Sequence, residues 1–329
     1  MSYQSIIYKI GWGVVAAAFF LVFPILVPNI YYVHLLIEIL IFGLFGISFN
    51  ILFGYGGMLP FGHAALFGVG AYISALMFNH FPQVPLLLSL LVGALSGFVT
   101  GAIIGVFCTR LTGAYLALST LAFQMFFYAV ALMWRSVTGG DDGMAVFRPD
   151  LHLPVLGSFP MSNVNNIYYL TLVLVILGIL SCYLFLKTPF GNSVVCMREN
   201  DIRASFLGYH SYLTKVVAFS MSGLLAGLAG GNFALFQGFV ANNVINLEMG
   251  IIIVLMVVIG GTGKFFGPIL GAAVYLVFQD WLSSLTKNWP LYWGIFFVLV
   301  IIYLQGGLIS LPERLKGILF RVSNRGERE

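Results

Sequence analysis

Charge is what this sequence has least of: Asp, Glu, Lys and Arg make up 8% of its 329 residues. Set against 60% hydrophobic residues and a mean hydropathy of +1.01, that leaves too little polar surface to cover a water-soluble globule. Cysteine is also scarce. Cys108, Cys182 and Cys196 are odd in number, far apart and without CxxC spacing, which argues against a disulfide framework or a cysteine metal site. The net charge of +4 does not imply nucleic acid, because the basic residues sit at helix ends and in loops rather than in a stripe. There is no HExxH, no GxSxG and no paired carboxylate at useful spacing, so neither catalytic residues nor a metal site are expected and the chain does not read as an enzyme. Gly263-Lys264-Phe265 is not a phosphate-binding loop, since a Walker A lysine is followed by Ser or Thr. No cofactor site follows from the chain itself, and any ATP must bind another polypeptide.

What is present is a series of apolar runs near or above the roughly 20 residues that cross a bilayer. Expected spans are 10 to 28, 31 to 53, 60 to 79, 84 to 107, 112 to 134, 166 to 187, 214 to 237, 247 to 262, 266 to 285 and 290 to 306. The run after Lys9 lacks a small-x-small cleavage site and reads as a first span rather than a signal peptide. The expected fold is all-α, a polytopic membrane helix bundle of about ten transmembrane helices forming one domain, 1–329, with glycine-broken segments. With a cytoplasmic N-terminus, 12 of the 15 basic residues fall inside and only Arg135, Arg148 and Lys287 fall outside, as the positive-inside bias requires. Both termini are therefore expected in the cytoplasm, with a tail at 311–329. Segments 60 to 79 and 247 to 262 are open to a re-entrant alternative.

Gly54 to Tyr72 holds six glycines in nineteen residues, with Pro60 at a helix start. Such a segment reads either as an interrupted helix facing a water-filled path or as close helix packing through small residues. Gly260 to Ala273 is a second glycine-rich break, and its Phe266-Gly267 echoes Phe61-Gly62. On the cytoplasmic side, the loop 188–212 contains a short helix with legible ends. Asn200 can N-cap it, Asp201 suits the first turn and Gly208 fits just past the end. At about 10 Å it is too short to be stable alone, so it docks on its own membrane domain or on a partner. Ile202, Phe206 and Leu207 would supply an apolar contact, and Arg198, Glu199, Asp201 and Arg203 a polar rim. The bland alternative is a solvated loop that holds basic residues inside.

Ionisable residues expected within spans are His34, Glu38, His63, Glu248, Asp280 and His80. Glu38 reads most simply as a hydrogen-bonded anchor, and His63 equally as a pathway residue or a structural one. A carrier or channel driven by ions would use Glu38, His63 and Glu248.

Leu36 to Ile41, Asn50 to Gly57, Phe61 to Tyr72, Thr112 to Leu118, Thr138 to Gly143, Thr188 to Gly208 and Gly260 to Ala273, taken in order, resemble the branched-chain amino-acid ABC importer permeases of the M-type, with urea and amide importer permeases as close relatives. Pro60 stands where that family commonly has serine or another small polar residue, and Asp141 where serine is frequent. The resemblance implies a multi-pass permease of the bacterial inner membrane that works with a homologous second permease, ATP-binding cassette subunits and an extracytoplasmic solute-binding protein. It implies that 188–208 is the coupling segment, with Gly191, Arg198, Glu199, Asp201, Arg203, Ala204 and Gly208 coupling to the ATPase. Candidates for the translocation path are Glu38, Asn50, Gly56, Gly57, Phe61, Gly62, His63, Tyr115, Gly260 and Gly261. Branched-chain amino acids are the expected substrate, and urea or another small solute the alternative.

Overall fold

A computed structural model describes residues 23–24, 29–153, 157–206, 208–303 and 306–310. The expected span 10 to 28, apart from residues 23–24, and the tail 311–329 lie outside the described residues. The membrane-length helices are α1 (Ile30–Asn50), α2 (Ala64–His80), α3 (Leu86–Cys108), α4 (Ala114–Met133), α5 (Val164–Lys187), α8 (Ser211–Gln237) and α10 (Gly267–Leu285). With their flanking turns, these seven are long and apolar enough to cross a membrane. Two apolar helices, α9 (Leu247–Gly260) and α11 (Trp289–Tyr303), are shorter. At 14 residues α9 is about 21 Å long, short of a roughly 30 Å hydrocarbon core. Of the two alternatives expected for 247 to 262, the re-entrant one fits this length.

Local chemistry sets the helix starts. Asn29, Asn163 and Asn246 each cap a helix by accepting a hydrogen bond from a backbone N–H two residues on. Helix α1 is the axis of the bundle: with its C-terminal turn it is 83% buried over its most apolar stretch, whereas α4 is 28% buried and presents its flank outward. The outer face of α4 carries Leu118 and Phe126, and that of α5 carries Leu177 and Leu184, all exposed, as expected of side chains bathed in lipid or a neighbouring subunit.

Helix α8 packs most extensively on α3 and α2, and the contact is made by glycine. Gly93, Gly97, Gly101 and Gly105 recur every fourth residue along α3, and Gly223, Gly227 and Gly231 along α8. A Cβ at Gly223 would lie 2.2 Å from the Gly97 carbonyl oxygen, and one at Gly97 would lie 2.3 Å from that of Gly223. Without a hydrophobic driving force between helices in lipid, such close backbone approach is what holds them together.

Five of the twelve basic residues expected inside, Arg110, Lys187, Arg198, Lys215 and Lys264, cluster at one end of the bundle. Arg110 lies over Tyr212, Lys187 over Tyr183, Lys215 pairs with Asp201, and Arg198 reaches the loops beside Lys264. At the opposite end the expected all-α picture gains two short antiparallel pairings, Met144–Ala145 with Phe239–Val240 and Leu151–Leu153 with Gly157–Phe159. They satisfy loop backbone that lipid could not. Arg148 there donates Nε–H to the Leu235 carbonyl at 3.0 Å and an Nη2–H to that of Phe236, capping α8.

Gly223→Ala should force α3 and α8 apart and lower stability by about 1–3 kcal/mol, read as a fall in the thermal unfolding midpoint of the detergent-solubilised protein. Gly294→Ala, where a Cβ meets nothing within 4 Å, should leave the midpoint unchanged.

Candidate functional site

The two glycine breaks meet at the basic end. Helix α1 does not stop at Asn50 but widens into a π turn over Ile51–Tyr55, where the Gly56 N–H reaches the Ile51 carbonyl at 3.1 Å. The left-handed Gly57 (φ +65°) ends the element, and the Met58 N–H bonds back to Leu52 O at 2.9 Å. The chain then re-enters through a 3₁₀ turn, Phe61–His63, into α2. The second break lies between α9 and α10. Asn50 clasps it from α1: its Nδ2 donates to Lys264 O at 3.0 Å and its Oδ1 accepts from Gly263 N–H at 3.0 Å. Gly54 leaves room for this clasp, since a Cβ there would sit 1.9 Å from Asn50 Oδ1 and 2.5 Å from Gly263 N.

Below this junction lies the cytoplasmic segment, and here the structure adds to the expected single short helix. Residues 188–206 form two helices, α6 (Pro189–Glu199) and α7 (Asp201–Phe206). Thr188 caps α6 by accepting from Gly191 N–H at 3.2 Å, with Pro189 at the first position. Asn200 caps α7 by accepting from Arg203 N–H at 2.9 Å, and Gly208 is left-handed at φ +88°, as expected from the sequence. Asp201 accepts from Lys215 Nζ at 2.6 Å and from Ser211 Oγ at 2.6 Å, which pins α7 to the foot of α8. Burial works against the ionised carboxyl, but the hydrogen bonds from Lys215 and Ser211 and the Lys215 charge outweigh it and hold the pKa below the usual aspartate range. The apolar contact expected of Phe206 is not made among the described residues, where the residue is 85% exposed. The side chains of Ile202 and Leu207 lie outside the described residues. Glu199 and Arg203 are also exposed, while Gly191 and Ala204 are buried against the membrane domain.

The expected path residues divide into groups. Gly56, Gly57 and Phe61 line a cavity of about 540 Å³ at the basic end, together with Leu59, Thr112, Ala114, Met197, Arg198 and Lys215. Tyr115, between the lining residues Ala114 and Leu116, is not part of that wall and is exposed at the start of α4. Gly260 and Gly261 belong to the second break, where a Cβ on Gly260 would lie 1.9 Å from Gly267 O and Gly261 takes φ +119°. Gly62 is pressed against α4, its N–H donating to Thr120 Oγ1 at 3.4 Å. His63 is fully packed between the rings of Phe45 and Phe49. Ser48 spends its hydroxyl proton on Phe45 O at 2.6 Å, so His63 Nε2 must donate to Ser48 Oγ at 2.9 Å, which leaves Nδ1 without a partner among the described residues. Glu38 is separate from all of these. It lines a smaller cavity of about 240 Å³ with Tyr31, His34, Gln279, Asp280 and Ser283, toward the other end of α1.

Sequence reasoning missed Lys215 and Ser211 as partners of Asp201, because nothing in the spacing marks contacts made across a loop. It also missed the α3–α8 glycine seam, which the four-residue period of Gly93 to Gly105 does announce.

Membrane-length helices, two of them interrupted at one basic end that also carries a protruding helical knob, define a multi-pass membrane transport protein. The family model for the branched-chain amino acid transport system permease component matches residues 31–304, and the chain belongs to that family as a permease subunit of an ABC importer. It is 28% identical over 293 residues to the high-affinity branched-chain amino acid transport system permease protein LivM of Escherichia coli K12, covering 83% of this chain and 69% of that protein. The LivM of Salmonella typhimurium matches to the same extent. It is also 30% identical over 237 residues to the autoinducer 2 import system permease protein LsrC of Shigella flexneri, covering 69% of this chain and 64% of that protein. No solved structure matches the chain significantly.

Asn50→Leu should strand the Gly263 N–H and the Lys264 carbonyl, costing about 1–3 kcal/mol and lowering the thermal midpoint. His63→Phe leaves Ser48 its bond to Phe45 and should cost less than about 1 kcal/mol in the same melt.

Proposed function

We propose that this permease subunit imports branched-chain amino acids across the bacterial inner membrane, in an assembly with a second permease, ATP-binding cassette subunits and an extracytoplasmic solute-binding protein. The observation that carries the reading is the knob. Helix α7 is fixed to α8 by Asp201 and Lys215 yet turns the ring of Phe206 outward, flanked by Arg203 and Glu199. An apolar anchor within a charged rim, at the end rich in basic residues, is what a docking surface for a cytoplasmic subunit requires. The substrate is supported by the family description and by the name that LivM carries.

The ion-coupled alternative finds less support. Ser48, the partner of His63, lies ten residues beyond Glu38 on α1, about 15 Å along the helix axis, and Glu248 is exposed at the start of α9. The three groups make no relay.

Phe206→Asp and Arg203→Glu should abolish recovery of cassette subunits with the affinity-tagged chain while the chain itself remains in the membrane. With the wild-type assembly in proteoliposomes, leucine uptake should require ATP. Uptake by the lone chain that follows a proton gradient and ignores ATP would refute the importer.

A further inference from the structure

The knob and the helix breaks are joined by one side chain. Arg198 stands on the last turn of α6, two residues before Asn200 and Asp201 begin the next helix segment. Its guanidinium donates to the carbonyl of Gly54, inside the π turn that ends α1. Its aliphatic stem lies on Gly57, where a Cβ would come within 3.0 Å of Arg198 Cγ and where φ is +65°. Its Nη1 lies 3.2 Å from the Cβ position of Gly263, the residue that Asn50 clasps in the second break. One cation thus touches both interrupted helices and forms part of the wall of the 540 Å³ cavity. Among the described residues Arg198 has no carboxylate partner, so its position rests on a charge-assisted bond to a neutral carbonyl, which can be exchanged more easily than an ion pair.

We propose that Arg198 is the positioning residue that transmits movement of the cytoplasmic helices to the translocation path. The inference rests on the reading of α7 as the docking knob. When a bound cassette displaces α7, α6 moves with it and draws the guanidinium away from Gly54. The π turn over Ile51–Tyr55, held wide by that bond, is then free to tighten toward α-helical pitch. Such a tightening shifts Gly56 and Gly57, and the cavity wall they form, while the Asn50 clasp carries the shift to the second break. Glycine at 57 is required because a side chain there would be strained and would push the arginine off its seat.

The test uses the full assembly in proteoliposomes with the solute-binding protein and radiolabelled leucine as the probe, comparing Arg198→Met, Arg198→Lys and Gly57→Ala with wild type. The expected result is that all three retain cassette subunits, with a fall in thermal midpoint no larger than that of Asn50→Leu, while leucine moved per ATP hydrolysed falls by about tenfold in Arg198→Met. Arg198→Lys, which keeps a charge and a donor, should recover part of the loss, and Gly57→Ala should reproduce it. An Arg198→Met assembly that holds its cassettes and transports with unchanged yield per ATP overturns the pin alone. Loss of cassettes from Arg198→Met and Arg198→Lys makes Arg198 a docking residue and also overturns it. A wild-type chain that never holds a cassette overturns the docking reading, and the pin with it.

Discussion

A backbone group released from a helix inside a membrane has no water to turn to, and this fixes how the chain can be interrupted. Two helices end within the apolar bundle, and each leaves carbonyls and N–H groups that must find protein partners. The solution is reciprocal. The side chain of Asn50 serves the break after α9, the widened turn after it leaves Gly54 O for Arg198, and glycine at 54, 57 and 263 lets these groups come within bonding distance. The junction is therefore an irregular stretch of backbone held in place by side chains from two separate elements, Asn50 of α1 and Arg198 of α6.

Mechanical consequences follow from that arrangement. A regular helix resists being pulled at one residue because each turn is bonded to the next. A π turn held open by an external donor has a tighter conformation close at hand. Placing the donor on α6 puts the choice between the two under the control of a segment that protrudes from the bundle. The glycine seam between α3 and α8 works in the opposite sense. Its backbone contacts leave no room for sliding, so α2, α3 and α8 form a stiff block beside the adjustable junction. A transporter that alternates access needs both a rigid part and a part with two packings.

The seven membrane-length helices among the described residues were legible in the sequence, because apolar length is a one-dimensional signal. Both breaks were legible for a related reason: Gly54 to Gly62 and Gly260 to Gly267 depart too far from helix-forming composition to continue. The caps at Asn200 and Gly208 were likewise local. What escaped were contacts between residues far apart in the chain. Asn50 read as a path residue, and nothing near it signals that its amide meets residues 263 and 264, more than 200 positions away. Helix α6 was hidden because Gly191 and Asn192 sit in its first turn, where propensity disfavours a helix that the Thr188 cap and Pro189 then secure.

His63 shows why a buried ionisable residue does not by itself mark a conduction path. A solute or proton route through it would require an opening on at least one face of the ring. Phe45 and Phe49 close two directions, and Ser48 occupies Nε2 with its own proton already committed to Phe45 O. The imidazole instead joins the start of α2 to the last turn of α1, just above the residues whose geometry must change if the path is to open. Held there, it bounds the adjustable region on the α2 side, and movement started at Arg198 runs through Gly54 and the Asn50 clasp to the second break.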